Sequence, residues 1–114
     1  MKLYQSDRAP NPRRARMFMA EKGIDTLIAT HPANMNYLTG YDGWSFYVHQ
    51  CVVVAQDTEE PIWIGRGVDE AGARLTTFLQ GENIHAYADD YVDATDKHSM
   101  HFVADVLKER GWAR

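Results

Sequence analysis

The chain has one cysteine, Cys51, so no disulfide can close within it, and it lacks the paired cysteines of a zinc knuckle or a thiol-exchange motif. Cys51 sits in a β-branched run, where a buried, inert thiol is expected. No apolar run approaches the roughly 20 residues that cross a bilayer as a helix. Residues 1–14 lack the apolar segment of a secretory leader, which leaves the cytoplasm as the expected compartment. Positive charge is scarce: 12 Lys and Arg stand against 16 Asp and Glu, a net −4, which favours neither nucleic acid nor a membrane surface as partner. The one basic cluster, Arg13, Arg14 and Arg16, reads as the solvated face of a helix. A phosphate-binding glycine loop is also missing. Gly65-Arg66-Gly67 has neither a third glycine nor the Lys-Ser/Thr of a P-loop. No serine occupies a sharp strand-to-helix turn, so no Ser-His-Asp set can be assembled.

What is present is the average globular mixture, 45% hydrophobic and 25% charged over 114 residues, enough for one domain spanning 1–114. Asn11-Pro12 predicts a helix start, with apolar residues at Ala15, Phe18 and Met19 and a left-handed stop at Gly23. Residues 24–30 form a short apolar run suited to a buried strand. His31-Pro32 breaks it, and one or two helical turns precede Gly40. A long strand is expected over 46–55 and another over 61–65; the short polar turn between them implies antiparallel pairing. Helical spacing at Val68, Ala71, Gly72, Leu75, Phe78 and Leu79 predicts an inward-facing helix over 68–79. A fourth strand follows at 83–88. A last helix, capped by Asp96 or Ser99, buries Phe102, Val103, Val106 and Leu107. This order predicts an α/β fold with a mixed sheet covered by helices.

The chemistry-bearing candidates are few. Four aromatics fall within residues 41–47, namely Tyr41, Trp44, Phe46 and Tyr47, interrupted by Asp42-Gly43. So many large rings around so few pivots either fill a core or face a ligand or partner. His31 stands at a strand end, where α/β sheets bind ligands. His49 shares a strand face with Tyr47 and Cys51, opposite Val48, Gln50 and Val52. Arg66 and Asp69 flank the second strand-to-helix turn. His98, His101 and Asp105 share one helix face at metal-ligand spacing, but the neighbouring apolar positions claim the inward face, so this set reads as solvated and no metal site is expected. No self-sufficient catalytic constellation emerges.

The helix with Arg13-Arg14, then Gly23-Ile24-Asp25-x-Leu27, then Pro32-x-Asn34-x-x-Tyr37-Leu38-Thr39-Gly40-Tyr41, then a strand, a turn and Pro61-Ile62-x-Ile64, resembles the N-terminal domain of the creatinase / aminopeptidase P / prolidase family. The resemblance runs from about Arg13 to Gly111, and its most specific element is Asn34-x-x-Tyr37-Leu38-Thr39-Gly40. The stretch 41–48 is nearer to the creatinase and ectoine-hydrolase-like side. The resemblance implies a three-layer α/β/α, ribonuclease-H-like motif, whose mixed sheet has one antiparallel strand. It implies a pita-bread catalytic domain outside this chain, and with it a parent hydrolase acting on a C–N bond in a small amidine or cyclic compound, or in an Xaa-Pro dipeptide. Any cofactor, two divalent metals such as Mn, Co or Zn in the peptidase version, would belong to that domain and none to this one. The implied partners are the chain's own catalytic domain, a second copy in a homodimer, and the substrate. The implied substrate-binding residues are Trp44, Phe46, Tyr47 and His49, with no catalytic residue. Phe46 matches the family's aromatic position. The basic position falls near Val48, which is not basic, and His49 is the nearest candidate. The competing reading is a stand-alone binding or interaction module that uses the aromatic loop.

Overall fold

A hairpin of two buried strands, β2 (Cys51–Ala55) and β3 (Ile62–Arg66), organises the chain in its computed structural model, which describes residues 10–43, 49–58, 60–88 and 98–112. Every residue of β2 is buried, and so is β3 up to Gly65. Strands shielded on both faces read as continuous apolar runs, which explains Cys-Val-Val-Val-Ala and Ile-Trp-Ile-Gly. Around the hairpin, the chain order is α1 (Pro10–Lys22), β1 (Thr26–Ala29), α2 (Pro32–Thr39), β2, β3, a 3-10 turn (Gly67–Asp69) leading into α3 (Glu70–Thr76), β4 (Ile84–Tyr87) and α4 (Ser99–Glu109).

The sheet order is β1-β2-β3-β4. β1 pairs antiparallel to β2, β2 antiparallel to β3, and β3 parallel to β4. One strand, β2, therefore runs against the other three, as expected. The carboxyl ends of β1, β3 and β4 and the amino end of β2 lie at the same edge of the sheet.

Alternation along the strands divides the interior into two layers. Val52, Val54, Trp63 and Ile84 face α1, α2 and α3 and pack with Met19, Met35, Leu38, Tyr41, Ala73 and Leu79. Cys51, Val53, Ile62, Ile64 and Tyr87 face α4 and pack with Val103 and Val106. The result is the three-layer α/β/α arrangement.

Local structure departs from the sequence reading in four places. The first helix begins at Pro10 rather than after Asn11, and Asn11 instead donates its Nδ2–H to the Tyr37 carbonyl. On α1 the ring of Phe18 is exposed and Met19 takes the inward position; on α2 Tyr37 is exposed and Leu38 is buried. The helix predicted over 68–79 is shorter and turned: Val68 is 62% and Leu75 85% exposed, while Ala73 and Thr77 point inward. The cap of α4 is His98, not Ser99, and Asp96 lies outside the described residues. No helix among the described residues is long and apolar enough to cross a membrane.

Candidate functional site

The sheet edge at the carboxyl ends of β1, β3 and β4 gathers the buried polar side chains. It begins with α2, whose left-handed end at Gly40 (φ 84°) turns the chain back toward the sheet. A side chain there would be strained, and its Cβ would stand 3.1 Å from the Thr76 carbonyl oxygen. Thr39 Oγ1 donates to the Met35 carbonyl (2.8 Å) and accepts the Tyr41 N–H (3.0 Å). The Asn36 amide holds the Tyr41 carbonyl at 3.2 Å. Tyr41 is thus fixed by its backbone and sent into the interior, where its ring packs 5.4 Å from that of Trp63.

There the Gln50 amide nitrogen bridges two elements. It donates to the Tyr41 hydroxyl at 2.9 Å and to Asp69 Oδ2 at 3.0 Å. A primary amide has two N–H donors, so one side chain serves both acceptors. Burial first, and then the negative charge of Asp69, raise the Tyr41 pKa, while the Gln50 amide and the Trp63 indole oppose the rise. Trp63 Nε1 is buried and, among the described residues, reaches no acceptor with full hydrogen-bond geometry, so its indole acts on the Tyr41 phenol only as a nearby dipole. Glycines make room for both rings. A Cβ on Gly43 would run into the Tyr41 phenol, and one on Gly65 would lie 2.5 Å from the Trp63 indole.

Residues on both sides of positions 44–48 are therefore held. Ahead of them, Tyr41 is locked as described, and the Asp42 N–H donates to Thr76 Oγ1 at 3.1 Å. After them, Gln50 is buried in the network, and the His49 carbonyl accepts the Tyr87 hydroxyl at 2.6 Å. Burial is the main cause that raises the Tyr87 pKa. The His49 ring is exposed and packs 4.8 Å from the ring of His98 at the start of α4. Two phenols with raised pKa values, an amide and a carboxylate make a network suited to holding backbone in place; no activated nucleophile stands among them. Cys51, nearby, is pushed up to about 12 by burial and is inert as a thiolate at neutral pH.

The four sequence-derived substrate candidates fare differently. Trp44, Phe46 and Tyr47 lie outside the described residues. His49 is exposed beside the network, and the alternation expected for 49–52 holds, with His49 and Cys51 toward α4 and Gln50 and Val52 toward α2. His31 is the N-cap of α2, its Nδ1 accepting the Ala33 N–H at 3.2 Å. Asp69 faces Gln50, while Arg66 acts electrostatically on Tyr87. His98 and His101 cap α4, and among the described residues no three His, Cys, Asp or Glu side chains come together as a metal-holding group. Tyr41 and Gln50 were missed as a pair. The available signal was a lone amide in an otherwise apolar strand, which needs a buried partner.

A three-layer α/β/α domain with a buried polar network at one sheet edge defines the class. The sequence model of the Creatinase/Prolidase N-terminal domain matches residues 13–112. The chain belongs to that family. It is 48% identical over 100 residues to the ectoine hydrolase of Halomonas elongata, covering 87% of this chain and 25% of that protein. It is 49% identical over 94 residues to an uncharacterized hydrolase/peptidase of Sinorhizobium fredii, covering 82% of this chain and 24% of that protein. The chain thus spans about a quarter of the length of these relatives. In fold it is similar to the N-terminal domain of an Xaa-Pro dipeptidase from Lactobacillus brevis (TM-score 0.72, 17% identity, 88% of this chain and 68% of that chain). It is also similar to the Creatinase/Prolidase N-terminal domain of an X-Pro dipeptidase from Streptococcus pyogenes (TM-score 0.69, 19% identity, 86% and 72%).

Proposed function

We propose that this domain is the non-catalytic N-terminal part of a C–N bond hydrolase of the ectoine-hydrolase-like branch, and that it supplies a substrate-facing aromatic loop and dimer contacts. The observation that carries the reading is the 48% identity to ectoine hydrolase across 87% of the chain, confined to 25% of that protein's length. Chemistry, and any divalent metals it uses, then belongs to the part of the hydrolase outside this segment. The Tyr41–Gln50–Asp69 network supports this role, because it fixes the backbone on both sides of positions 44–48 without offering a reactive group of its own. Trp44 and Tyr47 are rigid, amphipathic side chains and Phe46 a rigid apolar one, and His49, which follows this stretch in sequence, is exposed.

A chimera tests the proposal. The N-terminal quarter of the Halomonas ectoine hydrolase is replaced by this chain and the product is assayed on ectoine and on an Xaa-Pro dipeptide. Ectoine hydrolysis should persist, and Phe46→Ala or Trp44→Ala in the chimera should raise KM about tenfold, the loss of roughly one ring contact of about 1.4 kcal/mol. Unchanged kinetics in both variants would remove the loop from the substrate. Turnover by the 114-residue chain alone would overturn the non-catalytic assignment.

A further inference from the structure

Histidine is an uncommon choice for a helix cap, where Ser, Thr, Asp and Asn prevail. Here it caps two helices. His31 Nδ1 accepts the Ala33 N–H at the start of α2, and His98 Nδ1 accepts the Met100 N–H (3.1 Å) at the start of α4. At α4 the device is reciprocal, because His101 Nδ1 accepts the His98 N–H at 3.1 Å. The pattern is a capping box in which imidazoles replace the usual hydroxyl and carboxylate. A backbone N–H can only donate, so each Nδ1 must carry a lone pair. An imidazolium has none.

We propose that the His98–His101 capping box is an acid-sensitive latch, closed when both rings are neutral and released on protonation, which frees the start of α4 and the His49 contact beside the polar network. This inference is independent of the catalytic reading. His49 faces His98 from the segment ahead of β2, and two imidazolium rings 4.8 Å apart repel each other. From β4, Tyr87 packs its ring against Phe102 of α4 and holds the His49 carbonyl. Arg66, the last residue of β3, and Asp69, in the 3-10 turn after it, act on Tyr87. On α4 itself no acid occupies the first turn to favour a protonated ring, and Asp105 stands one turn below His101. The helix dipole further disfavours positive charge at this end.

Amide hydrogen exchange on the labelled chain reads the latch directly. After correction for intrinsic rates, protection of the His98 and Met100 amides should fall about fivefold or more between pH 7.5 and 5.5, the worth of a typical cap. The Thr77 amide, bonded to the Ala73 carbonyl at the end of α3, a helix with no histidine cap, serves as the reference. A His98→Asn/His101→Gln variant keeps a capping box that does not titrate and should hold its protection flat across the range. Flat protection in the wild type, or an equal fall in the variant, would overturn the proposal. Ring nitrogen spectra give a check that needs no variant: Nδ1 of both histidines must be unprotonated at pH 7.5, and a proton found there sinks the idea.

Discussion

The two helices α3 and α4 were read from sequence by the same rule, yet they dock in opposite ways. α4 presents Val103 and Val106 to the sheet and its charged residues to water. α3 turns its largest apolar side chain, Leu75, outward and places Ala73 inward at 0% exposure. The difference lies in what each helix meets. α4 lies on side chains of β2, β3 and β4, a surface that rewards apolar bulk. α3 also packs on β3 and β4, but its C-terminal end meets the end of α2 and the turn after it through backbone and hydroxyl groups. Thr77 Oγ1 donates to the Ala73 carbonyl, the Phe78 N–H reaches the Thr39 carbonyl, and Thr76 Oγ1 accepts from Asp42. Close backbone approach selects small and hydroxyl-bearing side chains, so the apolar bulk of α3 is left facing out.

The sharpest test of this contrast is Ala73→Leu. If α3 docks by close approach, three extra carbons have nowhere to go, and the variant should lose about 3 kcal/mol of stability in chemical denaturation, at the upper end of typical overpacking costs. A loss under about 0.5 kcal/mol would mean that the contact has slack, and the account of why α3 is turned would fail.

The contrast also marks where sequence reading worked. Helix, glycine, short apolar run and polar turn located α1, β1 and the β2–β3 hairpin from local signals; β2 and β3 are buried on both faces, whereas β1, expected as a buried strand, is only partly covered and leaves Ile28 exposed. β4 and the inward face of α4 were legible for the same reason. The face of α3 was not, since seven residues give periodicity too little length to distinguish an inward stripe from an outward one. The caps of α2 and α4 escaped notice because cap rules search for hydroxyls and carboxylates, whereas Nδ1 of histidine also accepts. The network at the sheet edge joins Tyr41, Gln50 and Asp69 across 28 positions of sequence, and no spacing rule links them. Family resemblance, carried by Asn34 to Gly40, pointed to the family and its fold by another route.

A smaller effect should appear at the far end of α4. Arg110, its C-cap residue, donates to Asn83 Oδ1 (3.0 Å) and to the Glu82 carbonyl (3.2 Å), and stands 3.2 Å from His85 Nε2 on β4. Burial, then the Arg110 charge, lower the His85 pKa, against a weaker opposite pull from Glu109. A lowered folded pKa favours the neutral ring. Its contribution is therefore complete above the unfolded value near 6.5 and is lost as pH falls through the folded value. Denaturation midpoints measured from pH 7.5 down to 5 should decline, and His85→Asn should decline less steeply. Parallel slopes would mean that His85 has no share in holding α4 to β4.

The smallest expected effect is the one that most directly separates the two helices. Leu75→Ala removes a side chain that is 85% exposed, so it should change stability by no more than about 0.5 kcal/mol. Val106→Ala on α4 removes two buried methyl groups and should cost roughly 1.5–2 kcal/mol by the per-carbon value. Measured side by side in urea with an unchanged m-value, the two variants give the ratio of the faces. Equal losses would show that Leu75 is buried in solution, and would return α3 to the inward orientation that its apolar spacing first suggested.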